Sequence, residues 1–242
     1  MTPRVSYVVC AMHRSGSGLL CEALWHTGLA GKPGEHFHPD RYGEDGAAAL
    51  DYARGAMPEK TTPNGIYGTK LMATYLQILT DRLRRLPGWA PMSVPEIARA
   101  FFHDPLFVWL RRRDEVRQAV SLWRAEATGV YGRKAEGPAP QAPEYDFARI
   151  DDCLRRVRAW NAWWETFFRA AGGPHVTLTY EDDLEPAGCE GAVRRVLAAL
   201  GVDAGGLRIV TTHRKMSDEA TERAVARYRR EAAAVDLARE SA

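Results

Sequence analysis

Hydrophobic positions along the chain change period several times, and each change marks an element. Val5–Ala11 is a nearly continuous apolar, β-rich run of the kind a buried parallel strand requires. Ser15-Gly16-Ser17-Gly18 follow, and Leu19, Leu20, Ala23 and Leu24 then recur at helical spacing, which predicts strand, glycine loop and helix in succession. From Gly31 to Pro39 turn formers dominate, so a loop leaves this helix. Ile66–Lys70 reads as a short strand, and Leu71, Tyr75, Ile78, Leu79, Leu83 and Leu86 mark an amphipathic helix that Pro87-Gly88 ends. Leu106–Leu110 is a further strand, running through Arg111-Arg112-Arg113 into a helix with Val116, Val120 and Trp123 inward. The cleanest helical stripe is Phe147, Ile150, Leu154, Val157, Trp160, Trp164, Phe167 and Phe168, closed by Gly172-Gly173-Pro174. His175–Thr179 predicts a last strand, Val193, Val196, Leu197 and Leu200 a helix ending at Gly201, and Glu219 onward a polar C-terminal helix.

Strands alternating with helices imply right-handed crossovers and a three-layer α/β fold, a mainly parallel sheet flanked by helices. Ligands in such folds sit at the C-terminal ends of strands, where Arg14–Gly18 and Arg111–Ser121 both fall. No repeat or linker divides the chain, so the expectation is a single domain over residues 1–242, with a mobile loop at 129–145, where Gly, Pro and charge take over. At 242 residues and 45% hydrophobic content the chain is long enough for a substantial core. Its 33 basic and 31 acidic residues leave a net charge of +2, which gives no support for bulk attraction to nucleic acid or membrane, so any anion site must be local. Cys10, Cys21, Cys153 and Cys189 form no CxxC pair and read as reduced. No apolar run resembles a signal peptide or a membrane span, and the expected compartment is the cytoplasm.

A strand entering a glycine loop and a helix N-terminus aims free N–H groups and the positive helix dipole at one spot, which suits phosphate or sulfate. Ser15 and Ser17 add hydroxyls, Gly16 and Gly18 permit close approach, and Arg14 adds charge. The bland alternative is an ordinary strand-to-helix turn capped by Ser17. The Gly-Lys-Ser/Thr ending of a nucleoside-triphosphate loop is missing, which disfavours an ATP-dependent kinase.

His13–Leu20, then Gly28–Phe37, Thr62–Met72, Arg112 with Gln118–Ala125, Tyr180-Glu181-Asp182 and Arg227–Arg230 occur in the order found in bacterial sulfotransferases of the trehalose 2-sulfotransferase type, and the chain resembles that family nearly end to end. The resemblance implies the sulfotransferase version of the P-loop-like nucleotide-binding fold. It implies 3'-phosphoadenosine 5'-phosphosulfate (PAPS) as donor, 3'-phosphoadenosine 5'-phosphate (PAP) as product, no metal, and a small-molecule hydroxyl as acceptor. Carried over, Arg14, Ser15, Gly16, Ser17 and Gly18 form the 5'-phosphosulfate loop, and Arg112 and Ser121 the 3'-phosphate site. Arg113 is as well spaced from Ser121 as Arg112 and stays a rival. Glu35 matches the family's general base, with Arg14 stabilising the leaving group.

On the acceptor side, His36, Lys70 and Trp123 are candidate substrate contacts, against plain readings as loop polarity, strand-end charge and core. His36 and His38 beside Glu35 and Asp40 lack the further ligands a metal site needs. Three departures bear on detail. Gly18 stands where a hydroxyl residue is usual, Ala224 where tryptophan is frequent, and Lys215–Asp218 differs from the pattern, so the adenine contacts and any homodimer interface there stay open. A non-catalytic nucleotide- or anion-binding module is the alternative to an enzyme.

Overall fold

A computed structural model describes residues 3–131, 143–185, 188–211 and 218–240. Most of the expected loop at 129–145, and Lys215–Ser217, lie outside the described residues. Four strands, β1 (Val5–Ala11), β2 (Ile66–Met72), β3 (Leu106–Arg111) and β4 (Val176–Thr179), form one sheet in the order β2-β1-β3-β4. All pairings are parallel, with Val5 opposite Ile66, Tyr7 opposite Leu106 and Val108 opposite Val176. The central strands β1 and β3 read as near-continuous apolar runs because both faces are covered. Val8, Cys10, Tyr67, Leu71, Phe107 and Trp109 face one core; Tyr7, Val9, Ile66, Val108, Leu110 and Leu178 face the other. The three-layer α/β expectation is met.

The helices are α1 (Ser17–His26), α2 (Gly46–Glu59), α3 (Ala73–Leu83), α4 (Val94–Phe101), α5 (Glu115–Thr128), α6 (Phe147–Ala171), α7 (Glu190–Ala199) and α8 (Glu219–Glu240). Residues of α1 and α7 cover one face of the sheet, and α2, α3, α4 and the second half of α6 the other. The first half of α6 builds a third cluster with α5 and α8. Trp164, buried in α6, donates its indole N–H to the Ala11 carbonyl at 3.1 Å, fixing this helix to the end of β1. All four cysteines are buried and free. No helix is long and apolar enough to cross a membrane among the described residues.

Two boundaries differ from the sequence expectation. Leu71 belongs to β2, and α3 starts only at Ala73 and ends at Leu83, short of Leu86. Helical spacing and strand burial are indistinguishable for a leucine at the junction of the two. The periodicity reading also lacks α2 and α4, although both carry local start signals. The Asp45 side chain accepts from the Ala48 N–H at 2.7 Å, and Ser93 with Glu96 forms a reciprocal capping box.

β1 has β2 on one side and β3 on the other, so successive crossovers leave in opposite directions from its C-terminal end. That divergence opens a crevice above β1 and β3.

Candidate active site

The loop leaving β1 turns sharply before α1. Arg14 (φ 65°) and Gly16 (φ 91°) both adopt left-handed backbone conformations, and a Cβ on Gly16 would lie 2.5 Å from the Tyr180 ring. Only glycine fits there. Gly16 is the residue that caps α1, and no side chain caps the helix, so the Ser17 hydroxyl is not the cap. The first-turn N–H groups therefore lack a side-chain acceptor, the arrangement that suits a bound anion. The fully buried Ser15 Oγ has no hydrogen-bond partner among the described residues.

Arg112, just past β3, and residues of α5 brace this loop. Gln118, buried in α5, donates to the His13 carbonyl at 2.8 Å, and Arg112 Nη1 donates to the Arg14 carbonyl at 3.3 Å. Both carbonyls are thereby engaged from the β3–α5 side. Arg14 Nε donates to Ser121 Oγ at 2.9 Å, and its Nη1 to the Tyr131 carbonyl. The buried Arg112 guanidinium lies 4.6 Å above the Tyr180 ring and 3.4 Å from Glu181 Oε1. Burial, then repulsion from Arg112, lowers the Arg14 pKa. Two crowded guanidinium groups of like charge favour an anion beside them.

Across His13 lies the other side of the site. Gly31 (φ 67°) approaches β2 so closely that a Cβ would stand 2.7 Å from the Gly68 nitrogen. Further on, the Gly34 carbonyl accepts from the Lys70 N–H at 2.8 Å and the Thr69 hydroxyl at 3.1 Å. The loop is thus pinned to the edge strand, and Glu35 Oε1 meets Lys70 Nζ at 2.8 Å. Burial alone raises the Glu35 carboxyl, but the Lys70 ammonium, aided by His13 and His38, overrides it and holds the pKa below its ordinary value. Glu35 is ionised at neutral pH. The His13 ring packs against Tyr75 and Tyr131, at 6.1 and 5.9 Å between centroids, and burial lowers its pKa.

Arg14, Ser15, Gly16, Ser17, Gly18, Arg112 and Ser121 thus converge above β1 and β3, and Glu35 and Lys70 form a pair beside them. Other predicted residues do not join them. Arg113 is exposed, paired through its side chain with Asp182, with its N–H donating to Glu181 Oε2 at 2.8 Å. His36 is buried with Nδ1 3.1 Å from the Tyr67 hydroxyl, its charged neighbours being Lys60, Arg41 and Glu59; burial lowers it to about 4. Trp123 is buried between α5, α6 and α8, and Arg124 pairs with Asp218 at the start of α8. His38, rather than His36, stands near Glu35. No group of His, Cys, Asp or Glu among the described residues is placed to hold a metal ion.

Sequence reasoning assigns no role to Gln118, Tyr180, Glu181, His13 or Tyr75, all of which shape this site. The signal for the first four lay in the matched segments containing them; Tyr75 had only its place on a helical stripe.

A parallel sheet whose first strand feeds an uncapped helix, with an arginine–serine pair and a second, buried arginine facing it, defines an α/β protein with a crevice of the kind that suits an anion. The chain belongs to the Stf0 sulphotransferase family, whose model matches residues 6–231. It is 28% identical to the trehalose 2-sulfotransferase of Mycolicibacterium smegmatis, over 94% of this chain and 95% of that one. It is 27% identical to the trehalose 2-sulfotransferase of Mycobacterium tuberculosis, over 96% and 97% respectively.

Proposed function

We propose that this sulfotransferase moves the sulfuryl group of PAPS to a hydroxyl of a carbohydrate or other small-molecule acceptor, with Glu35 as general base. The observation that carries the reading is the 2.9 Å bond between Arg14 and Ser121, which joins the glycine loop to the β3–α5 segment beside buried Arg112. The donor fits the residues present. The orphaned Ser15 hydroxyl and the uncapped α1 N-terminus are donors suited to an anion, and Arg14 and Arg112 add positive charge beside them. Arg14, Ser15, Gly16, Ser17 and Gly18 hold the phosphosulfate end, and Arg112 and Ser121 the 3'-phosphate. When bound, PAPS supplies an activated sulfuryl group on a good leaving group.

The chain's own contribution is positioning and charge. Arg14 offsets negative charge on the leaving side without reorganising, since Ser121 and Tyr131 already hold it. Glu35 accepts the acceptor's proton. The Lys70 ammonium keeps the carboxylate ionised before transfer and favours release of the proton afterwards. A carbohydrate acceptor is supported by the relatives, both of which are named for sulfation of trehalose.

Glu35→Gln is expected to lower acceptor-dependent turnover by about 10²–10⁴-fold. Thermal unfolding with PAP, against AMP and Mg-ATP at equal concentration, reads binding separately, and the PAP-specific stabilisation is expected to be unchanged. A variant turning over at the wild-type rate removes Glu35 from the mechanism; a protein stabilised equally by ATP removes the donor assignment.

A further inference from the structure

Arg112 and Arg113 leave β3 side by side, and something must decide which of them serves the crevice. The Arg113–Asp182 pair is exposed, at 65% and 54%, and such pairs hold a side chain weakly. Glu181 is placed differently. Its Oε2 accepts the Arg113 N–H at 2.8 Å, and its Oε1 accepts the Asp114 N–H at 3.2 Å and lies 3.4 Å from Arg112 Nε. One carboxylate therefore clasps both the turn before α5 and the guanidinium that the turn carries. Only 8% of the Arg112 side chain and 19% of the Glu181 side chain is exposed. The guanidinium is held on its Nε edge by Glu181, on its face by the Tyr180 ring at 4.6 Å, and at Nη1 by the Arg14 carbonyl at 3.3 Å. Glu181 is itself anchored, because Tyr180–Leu184 forms a single wide helical turn in which the Glu185 N–H reaches the Tyr180 carbonyl at 3.0 Å and Leu184 is buried. Asp183 fastens the start of that turn by accepting the Thr179 N–H at 2.7 Å.

We propose that Glu181 is a positioning residue for the donor nucleotide: its clasp fixes Arg112 with the terminal nitrogens toward the glycine loop, and so makes Arg112, not Arg113, the arginine that receives the 3'-phosphate. The inference rests on PAPS being the donor, with its 3'-phosphate at Arg112 and Ser121. Glu181 acts through Arg112 and not on the nucleotide itself. An arginine fork held in one orientation meets a phosphate without first losing rotamer freedom, whereas a released side chain must be ordered when the nucleotide binds. The same carboxylate has an effect of opposite sign, since its negative charge competes with a phosphate for the guanidinium. Competition follows the charge and the clasp follows the reach of the side chain, so a substitution that alters reach alone separates them.

The test is calorimetric titration with PAP and with AMP, which differ only in the 3'-phosphate, so no acceptor need be known. Glu181→Asp keeps the charge and shortens the side chain by one methylene, which opens the clasp. Its PAP affinity is expected to fall about tenfold, the equivalent of one hydrogen bond to a charged group, while its AMP affinity stays at the wild-type value. In an Arg112→Ala background the same substitution is expected to change PAP affinity no further, because its effect passes through that guanidinium. Thermal unfolding without ligand reports whether each variant folds. Should Glu181→Asp not fold, Glu181→Gln keeps the length, leaves one oxygen for two N–H groups, and is expected to show the same loss confined to PAP. An unchanged or raised PAP affinity, equal losses of PAP and AMP, or a further loss in the Arg112→Ala background overturns the proposal. A wild-type protein that binds AMP as tightly as PAP overturns the donor assignment instead.

Discussion

The two sides of the crevice are built on different principles. The side proposed for the donor is mainly a piece of backbone: a left-handed loop and a helix N-terminus, with the carbonyls of His13 and Arg14 engaged by Gln118 and Arg112. The side proposed for the acceptor is a set of titratable side chains, Glu35, Lys70, Tyr75, His13 and His38, brought together by a loop docked on β2 and by α3. Recognition of a fixed anion is served by groups that cannot move or change charge, whereas proton transfer needs a group whose charge does change. The donor side should therefore fail through geometry and the acceptor side through protonation.

Gly16→Ala is the harshest test of the first half of that contrast. The added methyl meets the Tyr180 ring, and alanine must hold a φ of 91°. The expected cost is about 1–3 kcal/mol in thermal unfolding, with loss of the stabilisation by PAP. A variant that still binds PAP normally shows that the loop adapts, and the contrast breaks there. A smaller effect comes from Ser121→Ala, which removes one partner of Arg14 and should weaken PAP about tenfold in calorimetric titration. Arg113→Ala, with its guanidinium turned out to Asp182, should leave PAP affinity unchanged; equal losses in both variants reopen the choice between Arg112 and Arg113.

A smaller effect at neutral pH than that of Ser121→Ala, and the one that sharpens the second half, is Lys70→Met. In the wild type the Glu35 pKa is depressed, so the ionised base persists as pH falls through the usual carboxylate range. The acid limb of the kcat/KM profile then lies below that range. Without the ammonium, burial dominates and the limb should move up, with little change at high pH. The pair's contribution to stability has the same sign: present above the unfolded carboxylate pKa, lost as pH falls through the lower folded value.

Parts of this arrangement are legible in the sequence. Strands β1 and β3 stand out as apolar runs because each is buried on both faces, and the glycine loop is contiguous, so its chemistry can be read in place. Trp123 shows why some candidates misdirect. It lies two positions from Ser121 on α5, and residues so spaced on a helix do not share a face, so with Ser121 toward Arg14 the indole turns into the core. His36 likewise follows Glu35 directly, and its ring leaves the loop toward Tyr67. Helices α2 and α4 escape the periodicity reading although their caps are written in Asp45 and Ser93.

By itself the sequence determined whatever depends on neighbouring residues: strand runs, the backbone-defined loop and helix starts, since propensity, period and capping act over a few positions. The tertiary structure decided which distant groups meet. Ser121 reaches Arg14 across 107 positions, Lys70 finds Glu35 from the neighbouring edge strand, and Arg112 rather than Arg113 turns toward the loop. Those pairings follow from strand order, register and the rotation of each helix on the sheet, which are set by the packing of the whole chain and not by any local segment.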